Sequence, residues 1–171
     1  MLIQNAVNAR GEETELNLSG GTIQAVGRGL AALAGPDEPV LDAGGLTVLP
    51  AFVDLHNHWR TPGFEYKEDI ETGSRAAAAG GYTFVNLMPN TRPVCSSAAQ
   101  AAAVEEEAER IGLCGANQTV SITKDFDGVT LDHLKTLPAS VRLSPRTATA
   151  SRTPASWPGP LPSAISGASP S

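Results

Sequence analysis

Residues 47–60 read Thr-Val-Leu-Pro-Ala-Phe-Val-Asp-Leu-His-Asn-His-Trp-Arg, "TVLPAFVDLHNHWR". A nearly continuous apolar run of this length predicts a strand buried on both faces, as in a parallel sheet. Two of the chain's three histidines stand one residue apart at its end. Side chains alternate across a strand, so His56 and His58 are expected to aim their rings at one point. Two converging neutral imidazoles suit Zn²⁺ or a similar divalent ion. Arg60 shares their parity, which would bring a guanidinium able to fork onto a carboxylate.

Downstream, strand and helix patterns alternate. "KEDIETGSRAAAAGG" predicts a helix with acids in its first turn and Gly80–Gly81 as its stop. "YTFVNLM" predicts the next buried strand, and "LMPNTRP" places Asn90 just past its end. Asn90 supplies a neutral donor and acceptor, so with Arg60 and the histidines it completes a candidate site. "SSAAQAAAVEEEAERIG" predicts a second helix, capped by Ser96 or Ser97 and ended by Gly112. "ANQTVSIT" predicts a third strand, "VTLDHLKTL" a short helix and "SVRLS" a fourth strand. Strands alternating with helices imply βαβ units and a parallel sheet, hence an α/β fold.

Upstream, "TELNLSGGTIQAVG" alternates apolar and polar residues about Gly20–Gly21 and predicts a hairpin. Residues 1–48 therefore read as a small antiparallel β unit, and residues 49–144 as the βα units. Residues 145–171 hold six prolines and no His, Asp, Glu or Lys. They read as a disordered Pro/Ser/Ala-rich tail.

The net charge of −6 and pI near 5.0 argue against nucleic-acid or anionic-membrane partners. No run approaches the roughly 18 apolar residues of a membrane helix, and no secretory leader is visible at Met1–Ala9, so a cytoplasmic protein is expected. Cys95 and Cys114 read as free thiols in that compartment.

The run over 48–94, from "VLPAFVDLHNHWRTPG" to "MPNTRPV", closely resembles the opening of the dihydroorotase family, cyclic amidases of the amidohydrolase superfamily. The likeness extends more loosely over 1–144. It implies a (β/α)₈ TIM-type barrel preceded by a small β-sandwich-like unit, here incomplete. It further implies a zinc centre with two ions per complete site and reversible hydrolysis of dihydroorotate to N-carbamoyl-aspartate in pyrimidine biosynthesis. By position, His56 and His58 would be metal ligands, and Arg60 and Asn90 would bind the substrate carboxylate. Allantoinase and hydantoinase relatives share the His-x-His, but "MPNT" fits dihydroorotases better. Two departures stand out: Ala51 replaces a usual Gly and could crowd the strand, and Trp59 replaces a usual Leu and could narrow the mouth.

A barrel of this kind needs about 250 residues. The family's remaining ligands and its late proton-shuttle Asp have no counterpart here, so no catalytic residue is assigned. The chain is expected to bind zinc weakly at most and to be inactive by itself. His133, on the short helix, reads as packing or solvent-facing rather than as a ligand. A dihydroorotase truncated or frameshifted after about residue 144 is the expectation. One codon set for the segment from Pro145, read two bases on, yields Glu-Asp-Gly-His-Gly-Val and then a helical pattern. The alternatives are a non-catalytic dihydroorotase-like subunit that docks on aspartate transcarbamoylase, or an allantoinase- or hydantoinase-type amidohydrolase; as partners, a homo-oligomer or that transcarbamoylase is expected.

Overall fold

The computed structural model describes residues 1–35 and 37–144. The Pro/Ser/Ala-rich segment at 145–171, with the out-of-frame reading, lies outside them. Two units separate by their contacts, Met1–Ala51 and a second that begins at Phe52. No helix among the described residues is long and apolar enough to cross a membrane.

The first unit holds β1 (Leu2–Val7), β2 (Glu13–Ser19), β3 (Thr22–Gly27) and β4 (Val40–Asp42), in the order β3-β2-β1-β4. The hairpin between β2 and β3 turns through Gly20 and Gly21 at φ 58° and 75°, the positive values a two-residue turn of this hand requires. Leu2, Ala6, Leu16 and Ala43 are buried. The expectation of a purely antiparallel unit needs correction. The four strands of this unit form one sheet, and β4 runs parallel to β1. The chain after β3 returns to the free edge of β1 and is secured there by Leu2 N–H to Pro39 O and Ala43 N–H to Gln4 O, both 2.8 Å.

The second unit is a βαβαβ arrangement. β5 (Phe52–Asn57), β6 (Tyr82–Leu87) and β7 (Gly115–Gln118) form a parallel sheet in sequence order, joined by α1 (Ile70–Ala79) and α2 (Ala98–Ile111). Asp69 caps α1 in a reciprocal box: its carboxylate accepts from Thr72 N–H at 2.8 Å, and Thr72 Oγ1 accepts from Asp69 N–H at 3.3 Å. Ser97 caps α2, and Gly112 closes it at φ 70°. Two expectations near the end of the described chain are reduced. "VTLDHLKTL" forms only a 3₁₀ segment, Asp132–Thr136. "SVRLS" contributes a single bridge, Leu143 to Val120, held by Val120 N–H to Arg142 O and Ser144 N–H to Val120 O.

Right-handed crossovers that proceed in sequence order place both helices on one face of the sheet. That face carries the core of Trp59, Ile70, Ala77, Val85, Leu87, Val104, Ala108 and Cys114. The other face is open among the described residues: Val53 and Phe84 are exposed, and Leu55 is 73% exposed. So β5 is not buried on both faces, contrary to its apolar sequence, because the helices cover only one.

Trp59 also corrects an expectation. It is buried in the helix-side core rather than narrowing a mouth. Its indole lies against Gly73 of α1, where an added Cβ would sit 2.6 Å from Trp59 Nε1. Ala51 is exposed. Cys95 and Cys114 are free and buried, and burial pushes the Cys95 thiol up to about 11.

Gly73→Ala should gain about 1 kcal/mol of helix propensity yet lose about 1–3 kcal/mol to overpacking against Trp59. A net loss is expected in chemical denaturation followed by circular dichroism. For Cys95, a thiol pKa raised in the fold means the native state holds the proton longer than the unfolded chain. Its contribution is therefore complete below the unfolded value and lost between about pH 9 and 11. Cys95→Ala should flatten the stability profile across that window.

Candidate functional site

The carboxyl ends of β5 and β6 lie side by side, and Met88 N–H donates to Asn57 O at 2.9 Å just beyond β6. In open α/β sheets and barrels alike, this end is where ligands are bound. The pairing of β5 with β6 slips there. Val53 faces Phe84, Asp54 faces Val85, and the next partners are Asn57 and Leu87. Leu55 and His56 thus share the space opposite Asn86, which makes a β-bulge.

Asp54 holds the bulge. Its Oδ1 accepts from the His56 backbone N–H at 2.9 Å, and its Oδ2 accepts from Asn57 Nδ2 at 2.8 Å. Asn57 Oδ1 in turn accepts from the His58 N–H at 2.7 Å. The bulge changes which side the histidines occupy. Asp54 pairs with Val85, a residue of the helix-side core, so unbroken alternation would carry both His56 and His58 to that sealed side. With one residue absorbed, Asn57 pairs with Leu87 on the helix side, His58 turns to the open side, and Trp59 returns to the core.

The two imidazoles come together: their centroids are 5.1 Å apart, with the planes inclined at 70°. His56 is exposed and His58 partly buried. His58 Nδ1 donates to Asn90 Oδ1 at 2.8 Å, across the gap between the two strand ends. Burial is the main cause that pulls the His58 pKa below the ordinary histidine value. The charges of Arg60 and His56 push the same way, and the Asn90 hydrogen bond and Asp54 oppose them. His58 is thereby kept neutral at physiological pH, the form in which an imidazole ligates a metal.

Asn90 stands on a tight loop after β6. Pro89 is fully buried and Thr91 buried, and Pro89 O accepts from both Thr91 N–H (2.9 Å) and Cys95 N–H (3.0 Å). Arg60 lies past the end of β5 at φ 57°, so strand parity does not place it. Its loop is set by Phe64 N–H to Arg60 O at 3.1 Å and by Arg92 N–H to Pro62 O at 2.8 Å. Gly63 allows that approach, since a Cβ there would meet Arg92 Cβ at 2.6 Å. Among the described residues no hydrogen bond ties the Arg60 guanidinium to His56, His58 or Asn90.

In donor chemistry and spacing the histidine pair fits a divalent cation. In number it supplies part of a shell, because no group of three or more His, Cys, Asp or Glu converges among the described residues. His133 lies elsewhere: its Nε2 donates to Ser121 O at 2.9 Å. Sequence reasoning missed the bulge and the roles of Asp54 and Gly63. An Asp side chain commonly accepts the backbone N–H two residues on, and that local pattern at Asp54 could have pointed to the clamp.

Residues 47–153 match the model of the Amidohydrolase family. Among curated proteins, the chain is 50% identical over 103 residues to a dihydroorotase of Pelobacter propionicus, covering 60% of this chain and 24% of that one. It is 54% identical over 97 residues to a dihydroorotase of Bacillus subtilis, covering 54% and 22%. The chain thus spans about a quarter of the length of the curated relatives it matches. Among solved structures it resembles L-hydantoinase from Arthrobacter aurescens, with a TM-score of 0.61, 22% identity, and coverage of 73% of this chain and 28% of that one. The D-hydantoinase from Thermus sp. gives a TM-score of 0.55 at 28% identity, covering 78% and 30%. With most of its length under one family model, the chain belongs to the amidohydrolase family.

Proposed function

We propose that residues from Phe52 onward form the first βα units of a (β/α)₈ barrel, and that they carry part of a dihydroorotase site. One observation bears most of the weight: His56, His58 and Asn90 converge at neighbouring strand ends, with the last two joined at 2.8 Å. Identity of 50% over 103 residues and of 54% over 97 residues to curated dihydroorotases supports it.

In this reading His56 and His58 hold a divalent ion, with zinc as the expected metal. When bound, such an ion supplies Lewis acidity for hydrolysis of a cyclic amide. Arg60 presents two parallel N–H donors to the ring carboxylate of dihydroorotate or the corresponding carboxylate of N-carbamoyl-aspartate. Asn90 adds an amide N–H. Together they orient the ring and hold its amide near the histidines. Asp54 keeps the His56 backbone in the bulge and so keeps the two rings together. No residue of 1–144 is assigned the proton transfer to the leaving nitrogen.

Hydantoinase chemistry is the alternative raised by the solved structures, and a carboxylate separates the two. Hydantoin carries none, so Arg60 would have nothing to grip. Calorimetric titration of the chain should show zinc binding that falls at least about tenfold in His56→Ala and in His58→Ala. Dihydroorotate should bind in the presence of zinc and hydantoin should not. Arg60→Ala should weaken dihydroorotate by roughly 10–100-fold, the effect of losing a charge-assisted hydrogen bond. Equal binding of hydantoin, or indifference to Arg60, would sink the dihydroorotase reading.

Asp54 yields a separate expectation. Asp54→Ala should weaken zinc about tenfold, as loss of a residue that orients a ligand typically does, while the helical signal in circular dichroism persists.

A further inference from the structure

We infer that Asn90 is a positioning residue for His58, not only a contact for the substrate. One side-chain amide is divided between two partners, with Oδ1 facing His58 and Nδ2 left for the carboxylate. The second half rests on the proposed function; the first does not.

Donor and acceptor identity fixes the His58 tautomer. An amide oxygen can only accept, so the 2.8 Å contact places the His58 proton on Nδ1. The lone pair is then on Nε2, the nitrogen a metal can use. A free imidazole in water favours the opposite tautomer, with its proton on Nε2, so the neighbouring acceptor decides whether His58 is competent to ligate. The reversed amide would present Nδ2 to the ring, draw the lone pair to Nδ1, and leave Nε2 protonated. Amide orientation and ring tautomer are therefore one choice. The loop anchored by buried Pro89 and Thr91 gives Asn90 a fixed base from which to make it. Nδ2 has no acceptor among the described residues, which leaves it available to an anionic ligand. Because metal ligands commonly donate their second ring N–H to an oriented oxygen, the arrangement links the proposed ion site to the proposed carboxylate site through a single residue.

Nitrogen-15 histidine spectra of the full, metal-free chain, recorded above the histidine titration range, test this directly. Wild-type His58 should show the proton on Nδ1. Asn90→Asp retains an acceptor oxygen and should keep that tautomer. Asn90→Leu, with Asn90→Ala as a second deletion, removes the acceptor and should move the proton to Nε2. Zinc affinity should follow the tautomer: about a tenfold loss in Asn90→Leu and about twofold or less in Asn90→Asp. An Nε2 proton in the wild type, or an unchanged tautomer once the acceptor is gone, overturns the inference. If dihydroorotate fails to bind while the tautomer behaves as described, only the functional reading falls.

Discussion

The Asp54 carboxylate governs the geometry on which the candidate site depends. Its two oxygens take up the His56 amide and the Asn57 side chain. The ladder with β6 gives up one donor, and the strand gains one residue of slack. Hydrogen bonds to an ionised acceptor are shorter and stronger than neutral ones, so the bulge has a local cause and does not rely on distant packing. Without that slack, alternation would turn both histidines toward the layer that α1 and α2 seal. With it, the register turns His58 toward the uncovered side of the sheet, and the two rings lie 5.1 Å apart.

Packing then locks what the carboxylate begins. Trp59 follows His58 directly and is buried beneath α1, in the space that Gly73 leaves for its indole. The residue beside a candidate ligand is thus part of the hydrophobic core, which couples the position of His58 to the stability of the helix layer. On the other strand, the loop bearing Asn90 is tied to buried Pro89 and Thr91. The His58–Asn90 bond therefore joins two supports that are each fixed independently. Such fixation suits a site that must hold its donors ready before a ligand arrives. The loop of Arg60 is more lightly placed, by backbone bonds and the close approach of Gly63 to Arg92.

Local rules account for the elements that could be read correctly. Ser97 caps α2, Gly112 ends that helix in a left-handed residue, and Gly20–Gly21 turn the hairpin. Each depends on a few neighbouring residues, so a short window of sequence holds the whole cause. The misreadings share the opposite trait. The parallel pairing of β4 with β1 joins residues some 38 positions apart (Leu2 with Val40), and no window of local sequence contains it. The exposure of Leu55 depends on which face the crossovers cover, and the burial of Trp59 depends on a missing side chain at Gly73.

By itself the sequence determined the alternation of strands and helices, and it marked His56, His58, Arg60 and Asn90 as candidate residues for a metal and a carboxylate. It did so because residue chemistry and the periods of strand and helix are properties of the chain alone. Tertiary structure decided the side of the sheet on which the histidines stand, through a bulge visible only against β6. It also decided the bond between His58 and Asn90, residues 32 apart whose meeting depends on two parallel strands ending together. Both outcomes are set by register, which is a relation between strands and is written in neither one.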